Sequence, residues 1–353
     1  VGCHDAAPRS CGKERSMSAL RGLRGWLGTR RRFQFVVTLV MVMTLTGTCG
    51  ALLLLPTTVV PKLRAGTPPA ATPQSSVVAD PQLERVRRTM ASYGEVVSET
   101  VALRDGQAGI VLGHPAQRDA IDILAAELDD ATAAVTALWG TGWSRTPVVV
   151  IATSPSEFAG LTNTVGEVPA EVAAVTVADP FRPGSRPTGQ RVVFGPESGE
   201  RLGPDGLRSV LRHELTHIAT RAVTVDGSPQ WMLEGFAEYA AHRGGDRTAA
   251  EIAPTLAARA RAGELPRDLP ADAVFAPGSG QAASAYEQAW SACAFIADEF
   301  GDPTLVNLYR SLATGPKNVA AVDDILRDTL GTPREGFLAR WRSWIVTRTA
   351  AGA

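Results

Sequence analysis

The chain has 353 residues, of which 44% are hydrophobic and 20% charged. That is enough apolar material for a sizeable core, and the composition excludes global disorder. Its 35 basic and 36 acidic side chains nearly cancel, so whole-chain charge gives no footing for nucleic-acid binding.

The near-neutral total hides an asymmetry. Residues 1–55 carry eight basic and two acidic groups, which leaves 27 basic and 34 acidic in the remainder. Residues 1–32 read as a basic leader, expected on the cytoplasmic side. Met17 opens a conventional leader of this type, and translation is expected to begin there, with residues 1–16 upstream of the true start. Residues 33–55 hold 23 side chains without a charge. As a helix rising about 1.5 Å per residue they would cross roughly 34 Å, a hydrocarbon core's width. Arg30, Arg31 and Arg32 precede this run and Pro56 follows it. The positive-inside rule then sets a single-pass transmembrane helix with the body outside the cytoplasm. The competing reading is a cleaved signal peptide and a secreted body, but the run exceeds the usual apolar region of about 7–15 residues. Residues 56–80, rich in Pro, Ala and Thr, read as a linker. Of the four cysteines only Cys293 lies in the body, so no internal disulfide is expected there. Its apolar surroundings suit a buried small hydrophobe.

Pro81 opens a helical pattern. Strand signals follow at 109–113, 147–153, 172–178 and 190–195, with a helix over 115–138 between the first two. Ser154 has the sequence of a helix cap, with Pro155 and Glu157 behind it. The segment FRPGSRPTG reads as a hairpin loop between the last two strands. A small sheet with a helix on one face is expected. After about 206 only helical patterns remain, over 206–224, 229–243, 247–262, 284–300, 303–313, 318–330 and 335–349. The body, 81–353, is therefore expected to be one α+β unit. A sheet lobe runs to about 205, a helical pair spans 206–243 and a helical lobe spans 244–353.

The chemistry concentrates in LRSVLRHELTHIAT (207–220). His213 and His217 are four apart, so on a helix they lie about 40° apart on one face and can reach one ion. Glu214 sits beside them, where it can contact a water on that ion. Two of the chain's five histidines fall within five residues. Neutral imidazole suits Zn²⁺, and a catalytic site needs a third ligand with one position left for water. A third histidine in the metzincin pattern is absent, since Thr220 and Val223 stand where Gly and His would be needed. PQWMLEGFAEYAA (229–241) supplies carboxylates instead: Glu234 and Glu238 share a face of a second helix, and the turn between the helices is long enough for an antiparallel return.

HELTH together with Trp231, Glu234, Gly235, Phe236, Ala237, Glu238 and Tyr239 resembles the gluzincins, specifically the peptidase MA-like group related to the M1 aminopeptidases. The resemblance covers 207–241 and implies a zincin-like metallopeptidase domain with one zinc ion. It implies Glu234 as the third ligand, Glu214 as general base, and Glu238 as the carboxylate that orients a zinc-bound histidine. An ordinary exposed helix carboxylate is the other reading of Glu238. Related enzymes often stabilise the oxyanion with a tyrosine from the C-terminal lobe. Tyr286 occupies a comparable place, against a packing role for the same ring. His242, eight after Glu234, reads as a surface helix position, with a place facing the cleft as the other reading. The Gly-x-Met-x-Asn motif that binds a substrate's amino end in M1 aminopeptidases is missing, as no Met lies between 91 and 231.

The expected function is a membrane-anchored, extracytoplasmic zinc metallopeptidase acting on peptide or protein substrates. The substrate would be added as a strand at the sheet edge, with 190–195 as the candidate edge. The alternative is a noncatalytic module of the same ancestry that binds a peptide or cell-envelope ligand.

Overall fold

The computed structural model describes residues 81–164, 172–182, 184–276 and 279–350. The leader, the 33–55 span and the 56–80 linker lie outside the described residues. Among the described residues no helix is long and apolar enough to cross a membrane.

The fold is mixed α+β. Helix α1 (Pro81–Ala91) is followed by strands β1 (Val97–Ala102) and β2 (Ala108–Gly113), then helix α2 (Arg118–Trp139) and β3 (Val148–Ile151). Helix α3 (Pro155–Thr162) precedes β4 (Ala174–Val177) and β5 (Arg191–Phe194). Ser154 caps α3 by accepting a hydrogen bond from the Glu157 N–H, with Pro155 in the first turn. The strands form one sheet in the order β1-β2-β3-β5-β4. β2, β3 and β5 run parallel, while β1 and β4 are antiparallel edges.

Three expectations change. First, β1 is an additional strand; its alternation of half-buried and exposed residues fits an edge strand with one covered face. Second, 191–194 is not an edge. β5 is hydrogen-bonded on both sides and buried throughout, and the edge beyond it, among the described residues, is β4. Third, the sheet is covered on both faces. Val111, Val149, Ile151, Val192 and Phe194 join the core formed with α2, whereas Ile110, Leu112, Val150 and Val193 pack with Leu83, Val86 and Met90 of α1 and Phe158 and Leu161 of α3. Continuous apolar strands need cover on both sides, because successive side chains point to opposite faces.

The rest is helical: α4 (Ser198–Thr220), α5 (Gln230–His242), α6 (Ala249–Ile252), α7 (Pro254–Arg261), α8 (Ala282–Phe300), α9 (Asp302–Leu312), α10 (Val319–Leu330) and α11 (Arg334–Ala350). The pattern over 247–262 divides into α6 and α7, meeting at Ala253 just before Pro254. Cys293 is fully buried on α8, and that burial pushes its thiol pKa up.

Candidate metal centre

Helix α4 begins earlier than its pattern suggests but is kinked. Gly203 leaves the helical region at φ 64°, and Pro204 restarts the helix behind it, where a missing N–H costs nothing. Leu207, Leu211, Leu215 and Ile218, spaced by four, four and three, are buried on one face in the shared core, as a helix stripe requires. The rotation of α4 is fixed on α2: Arg212 donates from Nε to Glu127 Oε1 at 2.7 Å, and the Glu127 side chain is buried. His213 and Glu214 are buried as well, and His217 is partly open.

After α4 the chain turns through Gly227, at φ 81° against Pro316. Helix α5 then returns, its first N–H groups partly answered by Asp272, whose Oδ1 accepts from Gln230 N at 2.8 Å. Gly235 sets how closely α5 approaches α8. A Cβ there would stand 2.5 Å from the Ala289 carbonyl oxygen and 2.9 Å from Cys293 Sγ. Only a residue without a side chain permits that contact. The same close approach carries Glu234 to α4 and Tyr286, on α8, beside both.

Three ligating atoms converge. His213 Nε2 and His217 Nε2 are 3.0 Å apart. Glu234 Oε2 lies 3.3 Å from the first and 3.5 Å from the second. These residues form the one group of three or more His, Cys, Asp or Glu, among the described residues, able to hold a metal ion. Two imidazole nitrogens and a carboxylate oxygen are the donor set that Zn²⁺ takes. A proton between the two ring nitrogens serves that pair alone, whereas a cation would serve all three atoms at once.

The surroundings reinforce the demand for positive charge. Burial pushes the Glu234 carboxyl up, but His217 and His213 outweigh it and hold the group well below the usual carboxylate range. Burial likewise opposes charge on His213, and Glu234 and Glu238 overcome it, raising the pKa well above the ordinary histidine value.

Glu238 lies one turn beyond Glu234, with Oε1 3.1 Å from His213 Nδ1. The contact is off the hydrogen-bond direction, so Nδ1 is buried without an aligned partner; the attraction is one of charge. Glu238 Oε2 is also 3.6 Å from His242 Nε2. Despite its burial, these histidines bring the Glu238 pKa down to about 2. His242 is thus no surface residue: it is largely buried and continues a line from His213 through Glu238. Tyr286 has its ring 6.3 Å from that of His213, and its hydroxyl feels the charge of Glu234. Burial, then the charges of Glu234, Glu238 and Glu214, push its pKa up, so the phenol keeps its proton as a donor. Tyr239 and Tyr309 are engaged elsewhere, donating to Asp302 and pairing with Thr224.

Glu214 makes a contact that no sequence signal announced. Thr176 Oγ1, on the edge strand β4, is 2.7 Å from Glu214 Oε2 and 3.0 Å from the Glu214 carbonyl oxygen. A lone threonine 38 residues upstream carries no spacing that could have marked it.

No family model matches the chain, and no curated protein does. Among solved structures it is similar to the M1 zinc metallopeptidase from Deinococcus radiodurans, at 18% identity and a TM-score of 0.39, over 72% of this chain and 53% of that one. A mutant of that enzyme bound to a Tyr-Ser-Ala substrate aligns at 16% identity and a TM-score of 0.38, over 72% and 52%. Legionella pneumophila aminopeptidase A in complex with aspartic acid aligns at 15% identity and a TM-score of 0.43, over 70% of this chain and 28% of that one. The chain thus spans about half the length of the Deinococcus enzyme.

Proposed function

We propose that the protein is a zinc-dependent metallopeptidase, anchored in a membrane by residues 33–55 with its body outside the cytoplasm. The observation that carries this reading is the convergence of His213 Nε2, His217 Nε2 and Glu234 Oε2, with Glu214 on the same helical turn. His213, His217 and Glu234 would hold one zinc ion. When bound, such an ion acts as a Lewis acid and acidifies water towards ~7.

The remaining work falls to the chain's own groups. Glu214 takes the proton of the attacking water and returns it to the leaving amine. Glu238 keeps the ring of His213 turned towards the site. The Tyr286 hydroxyl, protonated and adjacent, donates to the developing oxyanion. The main chain of a peptide pairs with the free edge of β4, in place of the 190–195 edge expected from sequence. No side chain over 172–178 is charged, so that edge offers no ion pair to a chain terminus, and the reading favours internal stretches of peptide.

The test is digestion of a peptide library, including peptides blocked at both ends, by the full chain with and without a chelator. Cleavage that stops with chelator and returns with zinc is expected. Glu214→Gln should retain zinc and lower kcat by about 10²–10⁴-fold. Undiminished hydrolysis in that variant, or none in the zinc-loaded wild type, overturns the reading. Protease accessibility in intact cells tests the membrane arrangement.

A further inference from the structure

We infer that Thr176 is a positioning residue for the general base, and that it ties the base to the strand on which substrate would pair. The inference rests on the peptidase reading for its kinetic consequence, but its geometry is independent of that reading. β4 is one of the two edges of the sheet, unpaired on its outer side among the described residues, and α4 packs against it. The Thr176 hydroxyl sits between two acceptors of one residue, Glu214 Oε2 at 2.7 Å and Glu214 O at 3.0 Å. It has one proton to give.

The contact to Oε2 is the shorter of the two, so the hydroxyl donates chiefly to the carboxylate. Glu214 Oε1 accepts no hydrogen bond from the described residues. The two oxygens of the base are therefore unequal: one is held by the edge strand, and the other is left to receive the proton. Fixing Oε2 also fixes the plane of the carboxylate. A side chain with three rotatable bonds, on a helix whose neighbouring residues hold the metal, would otherwise sample several rotamers. Reaction rates are steep in such placement, a displacement of about 1 Å costing up to about 10²-fold.

A second consequence concerns substrate. Thr176 lies within β4 itself, so its neighbours' backbone groups form the edge that a peptide would extend. A strand added there would press on the same element that holds the base, which makes substrate pairing and base alignment one event.

The experiment uses Thr176→Val, which keeps the branched shape and strand preference but has no hydroxyl, and Thr176→Ser, which keeps the hydroxyl. Hydrolysis is followed with an internally quenched peptide drawn from the library digest, alongside zinc stoichiometry and crystal structures of the zinc-loaded proteins. Thr176→Val should lower kcat by about 10²-fold, leave KM within about twofold, retain one zinc per chain and show the Glu214 carboxylate displaced. Thr176→Ser should recover most of the loss. In a Glu214→Gln background, Thr176→Val should add little, since residues acting as a unit are not additive. Unchanged kcat in Thr176→Val, failure of Ser to rescue, or an unmoved Glu214 carboxylate overturns the inference. If the wild type hydrolyses nothing, the peptidase reading fails, and the position of Glu214 in the two crystal structures alone decides the role of Thr176.

Discussion

The sheet lobe and the helical lobe each bury a histidine against a glutamate, and the two arrangements differ in whether every polar atom finds a partner. In the sheet lobe, His114 Nδ1 is 2.8 Å from the Glu95 carbonyl oxygen, and Nε2 is 2.9 Å from Glu157 Oε1. Glu157 Oε2 also accepts the Thr153 N–H at 2.6 Å. Every polar atom of that pair has a partner within the protein, and the ring fastens the end of β2 to α3. In the helical lobe, two imidazole nitrogens stand 3.0 Å apart with a carboxylate oxygen beside both. There His213 Nδ1 is buried without an aligned partner, and the three atoms converge on a point that one cation would fill. The same residue types make a structural clamp in one place and a group that could hold a metal ion in the other. What separates them is whether the hydrogen-bond inventory closes.

That comparison can be broken most directly by removing one carboxylate from each lobe. Glu157→Ala leaves His114 buried without its partner and should cost about 3–5 kcal/mol in denaturant unfolding, with zinc stoichiometry unchanged. Glu234→Ala should do the opposite, abolishing zinc binding in metal analysis while sparing the fold of the sheet lobe. Loss of zinc from Glu157→Ala in a still-folded chain would erase the distinction.

A subtler break lies in the packing that brings the ligands together. Gly235→Ala places a methyl group against the Ala289 carbonyl oxygen and Cys293, and overpacking of this kind costs about 1–3 kcal/mol. Because α5 must shift away from α8, zinc affinity should fall along with stability. The finest test is Glu238→Gln, which keeps the shape and removes the charge facing His213 Nδ1. Zinc affinity should drop about 10–100-fold, measured by competition with a chelator, while the unfolding midpoint at saturating zinc barely moves.

The contrast also explains what could be read in advance. His213, Glu214 and His217 were legible because a helix converts a spacing of four into a shared face. Glu234 and Glu238 were legible because a short turn forces the next helix back alongside. Thr176 was not, since its meeting with Glu214 is created by sheet order. β5 enters between β3 and β4, which makes 174–177 the edge and 191–194 an interior strand. The interior character of β5 has a trace in the sequence, as Val192, Val193 and Phe194 form an unbroken apolar run. Such runs in β2, β3 and β5 signal cover on both faces, and a sheet with a helix on only one was the wrong inference from them. β1 was missed because six alternating residues with Ser98, Glu99 and Thr100 at their centre carry a weak strand signal.

Whether His213, His217 and Glu234 grip a single zinc ion is decided by anomalous diffraction at the zinc edge on crystals of the zinc-supplemented chain. One peak is expected, within about 2.0–2.2 Å of both Nε2 atoms and of a Glu234 oxygen, with none at His114 and Glu157. An empty map between the two imidazoles, or zinc held by the sheet-lobe pair instead, would contradict it.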